Sequence, residues 1–154
     1  MLVDEGLELL TEAQCRDLLA AGKVGRVGIT LGAMPAIFPV NFVMIDGSVV
    51  FRTAPGSKLA AAARGAVVAF EVDDYDGSAR SGWSVLVVGQ AEVVHDLDVT
   101  SKVLAARLEP WAAGYRTNLV RISTEFVSGR RIVNSDPQPH ATGPKPTANG
   151  ESPR

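Results

Sequence analysis

The sequence is poor in cysteine and histidine: Cys15 is its one cysteine, and His95 and His140 are its two histidines. A single cysteine cannot form an internal disulfide, and the two histidines are too far apart to have the spacing of metal ligands. A disulfide framework and a structural zinc site are therefore excluded. Cys15 falls on the apolar side of a predicted helix, where we expect a buried, unreactive thiol instead of a nucleophile.

An excess of basic charge is also lacking. The formal net charge is −2, and the Lys and Arg residues are scattered along the 154 positions of the chain. Non-specific affinity for nucleic acids comes mostly from a concentrated basic surface, so we expect no DNA or RNA partner.

Long hydrophobic runs are absent from the sequence. None reaches the roughly 18 to 20 residues that span a bilayer, so we expect no membrane partner. Residues 1–6 are acidic where a secretory signal peptide would be basic. We therefore expect a cytoplasmic protein.

The composition changes only once along the chain. Residues 1–135 mix apolar and polar segments, as one domain with a single core does. From residue 136 onward the sequence is rich in proline and has almost nothing to bury. We predict one domain over residues 1–135 and a disordered tail over residues 136–154.

The domain contains a series of short strand patterns interrupted by glycines. β-Branched and aromatic residues predict strands at 24–31, 36–44, 49–51, 66–72, 82–94, 119–122 and 126–133, the last two being a pair or one bent strand. Capping residues predict short helices at about 11–21, 57–64 and 96–107. The acidic stretch 73–78 is predicted as an exposed loop, and it lacks the terminal Glu of a helix-loop-helix calcium site. Six or seven strands in this order predict a mainly β fold with short helices, built on a small antiparallel barrel.

The stretch 49–59 is the most informative part of the chain. A strand ends at Arg52 and Thr53, and Ser57 can cap a helix that begins at Lys58. The free N–H groups and the positive dipole end at a helix start favour an anion. Arg52 can hold two phosphate oxygens through its planar guanidinium, and Lys58 adds a second charge. We call this strand-to-helix connection, with Arg52, Thr53, Ser57 and Lys58, the corner. The corner suits a phosphate. A solvated Arg and Lys beside an ordinary helix cap is an alternative interpretation.

A second segment, Pro39-Val40-Asn41, is predicted to lie beside this corner. Counting back from a hairpin turn predicted at Asp46-Gly47 places Asn41 roughly opposite Phe51 and Arg52. A flat heterocycle needs apolar walls and a few placed polar groups, which this segment supplies. Its proline cannot donate a ladder hydrogen bond, so we expect the segment at a sheet edge or a bulge. The asparagine could instead be a polar residue near a turn that its own neighbours satisfy.

Groups that carry hydrolytic chemistry are lacking. The sequence shows no carboxylate pair beside a credible nucleophile, no glycine-framed serine, and no complete phosphate-loop spacing around Gly56-Ser57-Lys58. Hydrolase and nucleoside-triphosphatase functions are therefore excluded. If the chain is a catalyst, we expect a bound cofactor to carry the difficult step while the protein positions it.

Two aromatic regions remain. Trp83, followed by Ser84, begins the long strand predicted at 82–94, where a large ring can stack on a ligand, although packing in a core or a dimer interface is its more common role. Trp111 and Tyr115 are expected to pack and not to take part in chemistry.

Taken in order, these motifs resemble the pyridoxamine phosphate oxidase-like flavoproteins, and most closely the small subfamily shared with nitroimidazole-resistance flavoproteins. The resemblance rests on segments 38–42, 46–47, 50–53, 56–59, 68–73 and 82–85, with a similar ending at 120–122 and 128–131. It covers roughly residues 9–133. The ordered series is much more specific than any single motif in it.

The resemblance implies a split β-barrel homodimer with two flavin mononucleotide (FMN) sites at the subunit interface. The contacts of that family to the flavin phosphate and ribityl chain match four positions of this chain, Arg52, Thr53, Ser57 and Lys58. Its contacts along the isoalloxazine ring match Pro39, Val40 and Asn41. The strand that matches Trp83 and Ser84 reaches the site from the partner subunit.

The function implied by the resemblance is that of a flavin-dependent oxidoreductase acting on a small electron-accepting substrate. Some relatives bind the deazaflavin F420, and others bind haem or have lost the cofactor. A deazaflavin-dependent reductase and a non-catalytic flavin- or haem-binding module are therefore the alternatives. The basic residues with which the vitamin-making oxidases bind the phosphate of their own substrate have no counterpart here, so we do not expect pyridoxamine phosphate oxidation.

Overall fold

The computed structural model describes residues 2–4, 6–54, 56–106 and 118–133, which form nine β-strands and three α-helices. In chain order the elements are β1 Leu2–Asp4, β2 Leu7–Leu9, α1 Glu12–Ala21, β3 Val24–Leu31, β4 Met34–Ile45, β5 Ser48–Thr53, α2 Lys58–Ala63, β6 Val67–Asp76, β7 Ser81–Val94, α3 Leu97–Ala105, β8 Asn118–Ile122 and β9 Phe126–Ile132. Within the described ranges, no helix is both long enough and apolar enough to cross a bilayer.

Six strands form a closed antiparallel barrel in the order β7-β6-β3-β4-β5-β8, and β8 pairs back on β7. Closure depends on two long strands that change partner along their length. β4 pairs with β3 over residues 34–41 and with β5 over residues 42–45. β7 pairs with β9 over residues 82–88 and with β8 over residues 91–94. The molecule is therefore a split barrel, which confirms the predicted fold class.

The change of partner in β7 falls at Gly89. A Cβ atom added to this glycine would overlap the backbone carbonyl oxygen of Ser123, which follows β8. The Ser123 N–H donates to the Gln90 carbonyl at 3.0 Å, and the Gln90 N–H donates to the Ser123 hydroxyl at 3.0 Å. Only a residue without a side chain allows the two backbones to approach this closely.

The first helix has the predicted start. The Thr11 hydroxyl accepts a hydrogen bond from the Gln14 N–H at 3.2 Å, and the Gln14 side chain accepts one from the Thr11 N–H at 2.8 Å. This reciprocal pair is the capping box expected from the sequence. Leu10 and Cys15 are both buried, which places the helix start against the barrel. The helix ends at the predicted residue, Gly22.

The β4–β5 hairpin follows the predicted register. Ile45 pairs with Ser48 across a two-residue turn in which Asp46 has φ 48° and Gly47 has φ 77°. Positive φ at both positions is the type I′ geometry that suits the twist of a hairpin. The Asp46 carboxylate also pairs with Lys102 of α3 at 2.8 Å.

The barrel interior is the main core. Phe42 and Phe70 meet edge to face there, with ring centroids 4.8 Å apart, and Phe51 is fully buried beside them. A second, smaller cluster lies under α3 and joins Val50, on the other face of β5, to Val99 and Val103.

Two sequence expectations are incomplete. The acidic loop predicted at 73–78 is wrong for residues 73–76, which continue β6 and pair with residues 81–84 of β7. Pairing with the long strand β7 extends β6 through residues 73–76, although aspartate has a low strand propensity. The strand count is also too low, because β1 and β2 have only three residues each and carry little periodic signal. The predicted tail over 136–154, Trp111 and Tyr115 lie outside the described residues.

Candidate functional site

Arg52 is the first residue of the predicted site. It lies on β5 directly after Phe51, which is in the core, so its side chain is on the outer face of the barrel. Its Nε atom is buried and has no hydrogen-bond partner among the described residues. A buried donor without a partner costs about 1 to 3 kcal/mol, and more when the group is charged. Burial of the Arg52 Nε atom therefore costs free energy, and a hydrogen bond from this atom to an anion would offset that cost.

Thr53 and Ser57 form a hydroxyl pair that joins the end of β5 to the start of α2. Their side-chain oxygens are 2.7 Å apart, and either hydroxyl could be the donor. The Ser57 oxygen also accepts a hydrogen bond from the Ala60 N–H at 3.0 Å, which caps α2. Each hydroxyl has one proton, and their mutual bond uses one of the two. One O–H therefore remains as a donor for a ligand, whichever way the pair is oriented.

Lys58 follows the cap as the first residue of α2. Its side chain is exposed and has no ion pair among the described residues. Helix α2 has only six residues, so its dipole is short and the positive potential of the corner comes mainly from the Arg52 and Lys58 side chains. Arg52 and Thr53 end β5, Ser57 caps α2 and Lys58 begins it, so the four residues flank the strand-to-helix connection predicted from the sequence.

Pro39, Val40 and Asn41 lie on β4, in the half of that strand that pairs with β3 alone. We use the term split for the gap between this half, residues 34–41, and the end of β5 at Thr53. Val40 is buried in the core, whereas Pro39 is exposed and Asn41 is half-buried on the outer face. Of the three, only Pro39 and Asn41 present side chains to the split.

The edge of β4 at the split has free backbone groups. Phe42 N–H donates to the Lys23 carbonyl at 3.0 Å, and bonded and non-bonded pairs alternate along an antiparallel ladder. The nitrogen of Pro39 therefore points away from β3, to the side where β4 has no strand partner in the described chain. This confirms the expected edge position of the proline. The Asn41 N–H and the Pro39 carbonyl point to the same side.

Asn41 and Arg52 are brought together by the hairpin register. Phe42 pairs with Phe51, and both rings are in the core. Asn41 precedes Phe42 and Arg52 follows Phe51, so both are the next residues beyond the ladder and lie on the same outer face. The register agrees with the sequence count to within one residue.

Trp83 and Ser84 are not beside this corner within one chain. Both lie at the start of β7, where Trp83 pairs with Asp74 and Arg131. Val85 and Val87 are in the core, so strand alternation puts Trp83 on their face and Ser84 on the outer face. Trp83 lines a cleft at the end of the β6–β7 hairpin, and the Ser84 side chain does not.

A charged cluster that the sequence reasoning missed lies on the outer face near Pro39. Arg26, which pairs with Pro39 across the β3–β4 ladder, contacts Glu71 at 3.2 Å and Asp73 at 2.9 Å. Partial burial raises the pKa of Glu71, the neighbouring Asp73 carboxylate raises it further, and Arg26 opposes both effects. The spacing of Glu71 and Asp73, which puts both carboxylates on one face of a strand, was the available signal, but Asp73 was assigned to the predicted loop.

The Cys15 thiol behaves as expected from the sequence. It is buried at the start of α1, and burial, followed by the charge of Glu12, raises its pKa. A thiol with a raised pKa is a poor nucleophile at neutral pH. The described part of the chain contains no group of three or more His, Cys, Asp or Glu side chains that could hold a metal ion.

A sequence profile of the family described as pyridoxamine 5′-phosphate oxidase matches residues 11–131, which is most of the chain. The chain belongs to this family. An uncharacterized protein of Mycobacterium tuberculosis is 42% identical over 121 residues, a region that covers 75% of this chain and 79% of that protein.

Two solved structures extend the comparison. A protein from Mycobacterium smegmatis described as FAD-binding has 39% identity and a TM-score of 0.72, covering 82% of this chain and 100% of that one. A protein from Mesorhizobium loti, also described as FAD-binding, has 26% identity and a TM-score of 0.69, covering 82% of this chain and 99% of that one. The predicted family membership and the split-barrel fold are thus confirmed.

Proposed function

We propose that this protein binds a flavin nucleotide at the corner formed by Arg52, Thr53, Ser57 and Lys58 and serves as an oxidoreductase for a small electron-accepting substrate. The observation that carries the proposal is the buried Arg52 Nε without a hydrogen-bond partner among the described residues. The Thr53–Ser57 hydroxyl pair, which begins at the next residue of the chain, has one free proton. A phosphate would accept both hydrogen bonds. Membership of the family and the two FAD-binding relatives support a flavin as the source of that phosphate.

In the proposed complex, each residue of the corner has a distinct role. Arg52 donates from its buried Nε and one terminal nitrogen to two phosphate oxygens, as a planar guanidinium can. Lys58 adds a second positive charge from the solvent side. The free O–H of the Thr53–Ser57 pair donates to a third oxygen. The position of these groups on strand β5 and at the start of α2 keeps them together without the ligand.

The split is the proposed place for the isoalloxazine ring. The Pro39 side chain offers an apolar contact, and the Asn41 N–H and the Pro39 carbonyl provide a donor and an acceptor along the open edge of β4. Val40 supports this edge from the core. A bound flavin supplies the ability to accept and return either a hydride or single electrons.

FMN is the flavin that we propose, since Arg52 and Lys58, at the end of β5 and the start of α2, can neutralise its single phosphate. FAD carries a phosphate at the same place on its ribityl chain, so the corner would hold it through the same contacts. The deazaflavin F420 is the third candidate. Mass spectrometry of the small molecule released by denaturing the purified protein distinguishes the three by mass.

A homodimer is part of the proposal, with Trp83 and Ser84 reaching the site of the partner subunit. Support comes from the outer face of the sheet, where one cross-strand row is wholly apolar and runs through Ile37, Gly28, Ala69, Val88 and Phe126. Ile37 and Phe126 each expose 71% of their surface. An apolar row of this length on an exposed face is typical of a protein interface.

A cytoplasmic location, in keeping with the free thiol of Cys15, completes the proposal.

A non-catalytic flavin- or haem-binding module is the second candidate. It is favoured by the residues of the corner and the split, which include no carboxyl, imidazole or thiol that could transfer a proton. Turnover of a nitro-compound or a quinone by the flavin-loaded protein, measured against free flavin at the same concentration, supports the oxidoreductase. A rate no higher than that of free flavin supports the module.

The proposal is tested by spectroscopy on the purified full-length chain. We expect absorbance near the flavin bands, or the appearance of a shifted flavin spectrum on titration with FMN. Arg52→Ala should weaken this binding, whereas Arg64→Ala, which removes the same charge from the exposed end of α2, should not. A colourless protein whose spectrum and that of FMN do not change on mixing contradicts the proposal.

A further inference from the structure

A cleft of about 730 Å³ lies at the end of the β6–β7 hairpin, next to the last residues of β9. Its volume is in the range of small-molecule sites. The lining residues are Asp74, Tyr75, Asp76, Gly77, Ser81, Gly82, Trp83, Arg131, Ile132 and Val133. None of the residues of the corner or the split lines this cleft. Trp83 does line it, so in the proposed dimer the cleft lies next to the flavin site of the partner subunit.

Three lining residues form one row across adjacent strands. Asp74 pairs with Trp83, and Trp83 pairs with Arg131. Directly opposed residues on antiparallel strands share a face of the sheet, so the half-buried Trp83 ring lies between a carboxylate and a guanidinium. Neighbouring strands are about 4.8 Å apart, which puts about 10 Å between the outer two backbones. This is the width of a flat bicyclic ring with its substituents.

The two charged groups of the row differ in how they are held. Arg131 lines the cleft, and its Nη1 contacts the Glu8 carboxylate of β2 at 3.6 Å. The Asp74 carboxylate is exposed and has no hydrogen bond or ion pair among the described residues. A second carboxylate, Asp76, accepts hydrogen bonds from Ser78 and from the Ala79 N–H, which lowers its pKa and keeps it ionised.

We propose that this cleft binds a planar heteroaromatic ring that carries an amino group, stacked on Trp83, with the amino group at Asp74 and an anionic substituent at Arg131. An aromatic ring on an indole face gains area burial and quadrupole attraction. A carboxylate selects the amino donor, and a guanidinium selects an anion such as a phosphate. An adenine nucleotide has all three features. The proposal does not require a flavin at Arg52, because the cleft is complete within one chain.

The first experiment uses adenosine monophosphate as the probe. Trp111 is the only other tryptophan, so in Trp111→Phe the tryptophan fluorescence reports on Trp83 alone. We expect adenosine monophosphate to quench this fluorescence with saturation, and ribose 5-phosphate, which lacks the ring, to bind at least ten-fold more weakly. No binding of adenosine monophosphate, or equal binding of ribose 5-phosphate, overturns the proposal.

Variants then place the nucleotide in the cleft, with calorimetry as a readout that does not depend on Trp83. Trp83→Ala and Arg131→Ala should each weaken adenosine monophosphate about ten-fold, and Asp74→Asn should weaken it several-fold, because each removes a stacking contact or a charged hydrogen bond. Trp83→Phe, which keeps a ring, should restore most of the affinity. If Trp83→Ala does not fold, Arg131→Ala and Asp74→Asn carry the test.

Arg130 provides the matched control. It is the neighbour of Arg131 on β9, pairs with Ser84, and lies on the opposite face of the sheet. Arg130→Ala removes the same charge and should leave the affinity for adenosine monophosphate unchanged. Equal losses in Arg130→Ala and Arg131→Ala would mean that the nucleotide responds only to net charge, and the assignment of the cleft would be wrong.

The ring in the cleft belongs either to the adenosine half of FAD or to a separate nucleotide, and a comparison of FMN with FAD distinguishes the two. If the adenosine half of FAD is the occupant, Arg131→Ala weakens FAD and not FMN. If a separate nucleotide is the occupant, adenosine monophosphate still binds to protein that is saturated with FAD. Either result supports the cleft. If Arg131→Ala weakens FMN as much as FAD and adenosine monophosphate is not affected, the cleft belongs to the flavin site. A failure of flavin binding at Arg52 leaves the result with adenosine monophosphate unchanged.

Discussion

At the scale of single residues, Arg52 combines two properties that rarely occur together. It lies near the end of a barrel strand, and the Nε of its charged group is buried without a partner among the described residues. Natural proteins satisfy the great majority of buried polar atoms, and an exception calls for an explanation in function. The cost of about 1 to 3 kcal/mol is small enough for a folded protein to bear and is recovered when an anion binds.

Replacing Arg52 should therefore separate binding from stability. Arg52→Ala together with Lys58→Ala should weaken FMN by about 100-fold or more, because two charged groups are lost and charged hydrogen bonds are worth about 1.5 to 3 kcal/mol each. Riboflavin, which lacks the phosphate, should lose little. Isothermal titration with both ligands measures the difference. Equal losses for FMN and riboflavin would falsify the assigned role of Arg52 and Lys58.

The unpaired Nε of Arg52 also predicts that removal of the guanidinium does not destabilise the ligand-free protein. Arg52→Met keeps the apolar part of the side chain and removes the unpaired Nε, so the ligand-free protein should be as stable as the natural chain or more stable by about 1 kcal/mol. Urea unfolding measures this change. A clear loss of stability in Arg52→Met would mean that the guanidinium has a structural partner.

Cys15 gives a prediction that depends on pH. Its pKa is raised in the folded state, first by burial and then by Glu12, whereas an unfolded thiol has a pKa of about 8.5. The folded state therefore favours the protonated thiol, and this contribution to stability is complete below pH of about 8.5 and lost as the pH rises through the folded pKa. The thiol should react with a disulfide reagent slowly at pH 8 in the native protein and rapidly in denaturant.

Cys15→Ala is the control for the pH effect. The free energy of unfolding of the natural chain should fall more steeply above pH of about 8.5 than that of Cys15→Ala. The cavity left by the smaller side chain lowers the stability of the variant by a similar amount at every pH. Parallel profiles for the two proteins would show that another group is responsible.

At the scale of elements, β7 is the strand on which closure depends. It leaves β9 and joins β8 at Gly89, where the Ser123 carbonyl occupies the space of a side chain. A bend at a glycine is a general way to close a barrel, because the strand can approach another backbone there. The glycine was visible in the sequence, but its contact with Ser123 joins positions that are distant in the chain.

Gly89→Ala should lower the free energy of unfolding by about 3 kcal/mol, the upper range for overpacking in a core, since the atom in the way belongs to the backbone. Gly77→Ala, in the turn of the β6–β7 hairpin, is the matched control. A Cβ atom there would meet no atom of the described residues within 4 Å, and the backbone φ is not positive. Its stability should be unchanged or slightly higher, because alanine reduces the entropy of the unfolded chain. Chemical denaturation compares the two.

At the scale of the whole molecule, the outer face of the sheet bears on assembly. The row from Ile37 to Phe126 crosses five strands, β4, β3, β6, β7 and β9. Stable interfaces bury about 1,200 to 2,000 Å² in total, and an apolar row of five strands can form the centre of such an area. The proposed flavin site needs this interface, because Trp83 and Ser84 are far from the corner along the barrel.

We expect Ile37→Glu and Phe126→Glu to convert the proposed dimer to a monomer, since each buries a carboxylate against apolar surface in the interface. Light scattering coupled to size-exclusion chromatography measures the mass. Leu97→Glu, on α3, changes an equally exposed leucine (82% exposed) outside this row and should leave the mass unchanged. A monomeric natural chain, or a dimer in all three variants, contradicts the assignment of the interface.

Much of the fold was predictable from local signals. The capping box at Thr11, the Asp46-Gly47 turn and the Ser57 cap each depend on residues within a few positions of one another, and all three are present in the structure. The strand at 73–76 was not predictable, because its acidic residues favour a loop and only pairing with β7 overrides that preference. The site was predictable where one hairpin determines it, as for Asn41 beside Arg52.

The sequence by itself determined most of the elements, the glycine bends and the chemistry of the corner, since capping, turn geometry and the choice of Arg52 and Ser57 are local properties. Only the tertiary structure decided which groups are without partners and which residues of different strands lie side by side. The buried Nε of Arg52 and the row that places Trp83 between Asp74 and Arg131 depend on the pairing of distant strands. Burial and strand register arise from contacts between distant parts of the chain, and no local pattern encodes them.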